Sequence, residues 1–198
     1  MIKLAIFDMD GTVVESHLDW AEIRRVLNIN SNILKEIYKD NRVDHKKLQK
    51  LEQYEGENTL KATPIRGISD FLSHLKKQNI INVLATNNNK KNTEFLLNMF
   101  DLPFDSVLTR EKKMWKPSPE PFFYMMDLFH CKQDETISIG DSHYDVIASR
   151  EAGIENIFII KNKKQLPLND TGDIVFFKDF FELKNILDEA FSINTSSE

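Results

Sequence analysis

Apolar and polar positions follow two different rhythms along this chain. Residues 2–7, IKLAIF, form a short continuous apolar run bounded by acids and a glycine, which predicts a buried strand. From residue 16 to about 62 the pattern turns polar and helical. Trp20, Ile23, Val26 and Leu27 recur at helical spacing, Ser31 or Asn32 offers a cap for the next segment, and Leu48, Leu51 and Tyr54 line a third helix. From residue 63 onward helices and strands are expected in turn. The first helix puts Ile68, Phe71, Leu72 and Leu75 inward. A strand follows at IINVLAT, a helix at KKNTEFLLNMF, a strand at DSVLT and a helix at SPEPFFYMMDLFH. Then come a strand at TISIGD, a helix at HYDVIASREAG closed by Gly153, the strands NIFII and DIVFF, and a last helix, FFELKNILDEAF. The Phe pairs 122–123, 176–177 and 180–181 read as core, and the polar tail 192–198 as frayed.

Strands alternating with helices imply right-handed crossovers and a parallel sheet covered on both faces. The expected fold class is α/β: a three-layer, Rossmann-like parallel sheet from residues 1–14 and 63–198. A small α-helical cap, residues 15–62, is inserted after the first strand.

Composition narrows the function classes. The chain has 198 residues, 41% hydrophobic and 29% charged, and a formal net charge of -5. That is ordinary for a globular protein and carries no basic footprint for nucleic acid. A single cysteine, Cys131, cannot form an internal disulfide, which fits a reducing compartment. No apolar run approaches the roughly 20 residues of a membrane span, and the N-terminus has no signal-peptide pattern. A cytoplasmic protein, monomeric or homodimeric, without membrane or nucleic-acid partners is expected.

Chemistry gathers where the strands end. In open parallel sheets, ligands bind beyond the carboxyl ends of the strands. Asp8 and Asp10 follow the first strand, Thr86 and Asn87 the second, a basic loop ending in Lys116 the third, and Asp141 and Asp145 the fourth. Two unit charges about 4 Å apart repel by roughly 4 kcal/mol at an effective dielectric near 20. Oxygen-only ligands of this kind suit a hard divalent cation, Mg²⁺, and Lys116 offers further positive charge. Arg110, in the same loop, is a candidate substrate contact. Trp20 and Trp115 are expected at contacts between cap and core, and His143 is not assigned a proton-transfer role.

The ordered set DMDGT, Thr86 in LATN, Lys116 in KP, and GDSHYD resembles the haloacid dehalogenase-like (HAD) hydrolases, over about residues 4–160. Within that family the chain looks like a small-cap, phosphoglycolate-phosphatase-like member. The resemblance implies an HAD-like core and a phosphatase acting on a small phosphorylated metabolite. It makes Asp8 the nucleophile that forms an aspartyl-phosphate, and Asp10 the general acid and base. It implies metal contacts at Asp8, the Asp10 carbonyl, Asp141 and Asp145, with Asp145 acting through water or orienting Lys116 instead. Thr86, Asn87 and Lys116 would hold the phosphoryl group. The family's dehalogenases lack an acid where Asp10 stands, which favours phosphoryl transfer. A phosphotransferase or sugar-phosphate mutase, and a non-catalytic regulatory protein, remain as alternatives.

Overall fold

The computed structural model describes residues 1–161, 167 and 171–195. The chain opens with β1 (Leu4–Phe7) and a two-residue strand, β2 (Val14–Glu15). Three helices follow: α1 (Trp20–Leu27), α2 (Ile33–Ile37) and α3 (His45–Thr59). Each starts where a short polar side chain satisfies an orphan N–H of the first turn. Asp19 accepts from the amides of Ala21 and Glu22, Asn32 from that of Lys35, and Asp44 from that of Lys47. The chain returns through β3 (Thr63–Pro64), which pairs antiparallel with β2. This two-stranded ribbon at the base of the insert has no signature in the sequence, because two residues are too few to show an alternation.

The remaining elements are α4 (Ile68–Lys77), β4 (Ile81–Ala85), α5 (Lys90–Met99), β5 (Ser106–Leu108), α6 (Glu120–Leu128), β6 (Thr136–Gly140), α7 (His143–Glu151), β7 (Asn156–Ile160), β8 (Ile174–Phe177) and α8 (Phe180–Thr195). The six long-range strands form one parallel sheet in the order β5-β4-β1-β6-β7-β8. The frayed tail expected at 192–198 is helical through Thr195, and residues 196–198 lie outside the described residues.

Because β1 is central, both its faces are covered. Ala5 and Phe7 pack into the layer of α4 and α8, with Phe71, Leu72, Leu75, Phe180 and Leu183. Leu4 and Ile6 point the other way, against Phe122, Met125 and Met126 of α6 and Ala148 of α7. This is why the first strand reads as an unbroken apolar run rather than an alternation. The insert has an apolar centre of its own: Ile23, Leu27, Ile33, Leu34, Ile37 and Leu51, with Trp115 from the core at its edge.

Two expectations need correction. Val26 is exposed, because the inward stripe of α1 is set by Trp20, Ile23 and Leu27, and Val26 falls outside it. The three Phe pairs are not core as pairs. Phe122, Phe177 and Phe180 are buried, but neighbours in sequence point in different directions on a helix or strand, so Phe123 and Phe181 are exposed and Phe176 is half-buried. Among the described residues no helix is long and apolar enough to cross a membrane.

This packing predicts a sharp difference within one pair. Phe180 lies against Phe7, Phe71 and Phe177. Phe180→Ala is expected to lower unfolding stability in urea by about 3 to 5 kcal/mol. Phe181→Ala is expected to change it by less than about 1 kcal/mol, as is usual for an exposed side chain.

Candidate active site

The strand order brings the expected residues to one end of the sheet. β1 lies between β4 and β6, so the segments leaving these three strands emerge side by side. The Asp8 amide donates to the Ile139 carbonyl (2.9 Å) and the Thr86 amide to the Leu108 carbonyl (3.0 Å), which carries sheet pairing up to the site. The crevice above has a volume of about 1160 Å³. Asp8, Asp10, Asp141 and Lys116 line it from the sheet, and Trp20, Arg24 and Glu55 line it from the insert.

Lys116 is at the centre. Its ammonium Nζ lies 2.6 Å from Asp8 Oδ1 and 2.6 Å from Asp145 Oδ1, with almost no exposure to solvent. Burial alone would push its pKa down, but the Asp145 and Asp8 carboxylates overcome this and hold it above the ordinary lysine value. Burial pushes Asp8 up to about 7, against the pull of Lys116. Asp145 accepts at Oδ2 from the Ser142 hydroxyl (2.6 Å) and from the amides of Ser142 and Asp141 (3.0 and 3.3 Å). Both its oxygens are thus held by the protein. Asp145 faces Lys116 and also belongs to the group of carboxylates that could hold an ion.

Two glycines make room for this concentration of acids. A Cβ on Gly11 would stand 2.3 Å from Asp141 Oδ2, and one on Gly140 would stand 2.4 Å from Asp145 Cγ. Gly11 also has φ +86, the left-handed region that favours glycine. Carboxylate oxygens of Asp8, Asp141 and Asp145 lie within 4.8 Å of one another.

Asp10 is held from one side only. Its Oδ2 accepts from Asn88 Nδ2 (2.9 Å), while Oδ1 is buried without a hydrogen-bond partner. Burial raises its pKa, and the bond from Asn88, with the nearby Ser16 hydroxyl, opposes the shift. The Thr86 hydroxyl accepts from the Asn88 amide (3.0 Å). The Asn87 side chain clamps the main chain of Lys116 at both ends, donating to its carbonyl (2.9 Å) and accepting from its amide (3.0 Å).

Arg110 is where expectation and structure part. Its side chain is 1% exposed, is not among the residues lining the crevice, and reaches Glu55 of α3. Nη1 is 2.6 Å from Glu55 Oε1, and Nη2 is 3.5 Å from Glu52. The ion pair joins insert to core, while Nη2 has no hydrogen-bond partner. Glu55 itself gave no sign in the sequence, since it sits among the charges of a polar helix. Asn88 was equally hidden, behind Asn87 in a run of three asparagines. Trp115 does pack against the insert, on Tyr38 (ring centroids 4.9 Å apart).

Burial pushes the Glu55 carboxyl from its ordinary 4.5 up to about 7, against Arg110 and the Asn89 amide. Between those values the folded chain keeps a proton that the unfolded chain has released. This group's contribution is therefore full below pH 4.5 and is lost as pH rises through about 7. The melting temperature of the wild type relative to Glu55→Gln is expected to fall across that window and stay level above it. A difference that climbs with pH over the same range would refute the assignment.

Known proteins resemble this chain in sequence and fold. The family model for haloacid dehalogenase-like hydrolases matches residues 16–159. An uncharacterized hydrolase of Saccharomyces cerevisiae is 26% identical over 172 residues, which span 81% of this chain and 78% of that protein. A phosphoglycolate phosphatase of Mannheimia succiniciproducens is 26% identical over 124 residues, 61% of this chain and 55% of its own length. The crystal structure of a predicted phosphoglycolate phosphatase from Haemophilus somnus 129pt shares the fold. Its TM-score is 0.68 at 21% identity, over 94% of this chain and 98% of that one. With a parallel sheet of this order and a match covering most of its length, the chain belongs to the haloacid dehalogenase-like hydrolase family.

Proposed function

We propose that this protein is a Mg²⁺-dependent phosphatase that hydrolyses a small phosphate monoester through an aspartyl-phosphate on Asp8. The observation that carries the proposal is the division of labour between two acids. Asp8 is paired with a buried ammonium at 2.6 Å, whereas Asp10 is pinned at one oxygen and has the other unpartnered. The first arrangement suits a nucleophile whose charge is kept in check, and the second suits a proton shuttle. The relative named as a phosphoglycolate phosphatase supports a small phosphate ester as the substrate class.

In this reading an Asp8 oxygen forms a bond to phosphorus while the bond from phosphorus to the leaving oxygen breaks. Asp10 supplies the proton that the leaving oxygen needs. A water then attacks phosphorus, Asp10 takes back a proton, and Asp8 is released with inorganic phosphate. Lys116 offsets charge between Asp8 and the phosphoryl oxygens, and Thr86 with the Asn87 main chain steadies those oxygens. The insert acts as a cap that limits water and selects the substrate.

The donor set fits the metal. Among the described residues the candidate ligands that converge here are carboxylate oxygens, and their close approach leaves a surplus of negative charge that one lysine does not remove. Asp8, Asp141 and the Asp10 carbonyl would hold Mg²⁺, with Asp145 adding charge beside them. When bound, the ion supplies electrostatic stabilisation of the phosphoryl oxygens.

Purified protein given a panel of phosphorylated metabolites is expected to release phosphate without an added acceptor. Chelation by EDTA is expected to stop the reaction and added Mg²⁺ to restore it. Release only in the presence of a sugar acceptor would indicate a transferase, and an inert protein would overturn the proposal. Asp8→Asn is expected to abolish turnover in a folded protein. Asp10→Asn is expected to lower it by about 10²- to 10⁴-fold, the usual contribution of a general acid or base.

A further inference from the structure

The buried pair between insert and core has a connection that packing alone does not require. Glu55 Oε1 binds Arg110 Nη1 at 2.6 Å, and Oε2 accepts from Asn89 Nδ2 at 2.8 Å. Those two partners are the residues that fix Asn88. The Asn89 amide donates to Asn88 Oδ1 (2.7 Å), and the Arg110 amide donates to the Asn88 carbonyl (3.1 Å). Asn88 in turn donates Nδ2 to Asp10 Oδ2 (2.9 Å). Because Asn89 N occupies Oδ1 of the Asn88 amide, Nδ2 is left facing Asp10. One carboxylate on the insert thus grips both supports of the side chain that aims Asp10.

We infer that Glu55 is a positioning residue: by docking on Arg110 and Asn89 it sets the orientation of Asp10, so the insert must be seated before the proton shuttle is aligned. The inference rests on the phosphatase reading. The same loop adds a second link. Trp115 stacks on Tyr38 of the insert, donates Nε1 to the Arg110 carbonyl (2.9 Å), and immediately precedes Lys116. Seating the insert therefore bears on the loop that carries the lysine as well as on the acid. Burial makes the pair decisive in one direction, because an unpaired Arg110 in this position is strongly unfavourable.

The test uses two substrates that differ in leaving group. Phenyl phosphate expels a more basic oxygen than p-nitrophenyl phosphate and depends more on protonation by Asp10. Glu55→Ala is expected to lower kcat/KM for phenyl phosphate about tenfold more than for p-nitrophenyl phosphate, as a partly misaligned general acid should. Glu55→Gln, which keeps an acceptor for Arg110 but turns a donor toward Asn89, is expected to give a ratio between those of Glu55→Ala and the wild type. In the Asp10→Asn background Glu55→Ala is expected to leave the ratio unchanged, because it acts through Asp10. Should Glu55→Ala not fold, Asn89→Ser is expected to shift the ratio in the same direction: serine still caps α5, as Asn89 does through the Asn92 amide, but lacks the Nδ2 that donates to Glu55. Equal losses on both substrates, or a further change of the ratio in the double variant, would overturn the inference and leave Glu55 a purely structural contact. A wild type inert toward both substrates with Mg²⁺ would overturn the phosphatase reading, and this inference with it.

Discussion

The site is organised around a single buried ammonium. Lys116 sits 2.6 Å from two carboxylates that come from different segments of the chain, one after β1 and one from the first turn of α7. Without that charge, Asp8, Asp145 and the nearby Asp141 would repel one another inside a protein medium that screens poorly. Placing the ammonium there is itself expensive in desolvation, and it is tolerated because both partners approach closely and Asp145 is fixed by three further donors. Much of the local architecture serves this arrangement. Asn87 clamps the Lys116 main chain, and glycines at 11 and 140 let Asp141 and Asp145 come near.

A second charge pair, Arg110 with Glu55, performs the corresponding task between the insert and the core. Its members are both buried, and its hydrogen bonds extend into the asparagine run that ends at Asp10. The insert has an apolar centre of its own, so its internal folding and its docking rest on different interactions. The contacts between insert and core include this buried pair and the Tyr38–Trp115 ring pair.

Much of the fold was legible because its signals are local. A central parallel strand must be apolar on both faces, so IKLAIF stands out, and helix starts are marked by residues such as Asp19, Asn32 and Asp44 that cap their own first turns. Asp8, Asp10, Thr86, Lys116, Asp141 and Asp145 were legible for a related reason. Each directly follows a strand or belongs to the loop or helix start just after one, and residue order alone places strand ends together once the sheet is parallel. The ribbon of β2 and β3 was too short to show a period, and the direction of each phenylalanine in a pair depended on a helix phase that two adjacent residues do not fix.

What the sequence determined by itself was the set of acids and the lysine, because charge and hydroxyl placed next to apolar runs carry their meaning locally. What only the tertiary structure decided was which charges face which. Glu55 and Arg110 lie 55 positions apart and look like ordinary surface groups in the sequence, and Asn88 looks like its neighbour Asn87. Burial turns the first two into a pair and the third into the support of Asp10, because a charge removed from water has to find a specific partner, and that partner is set by how the insert lies on the sheet.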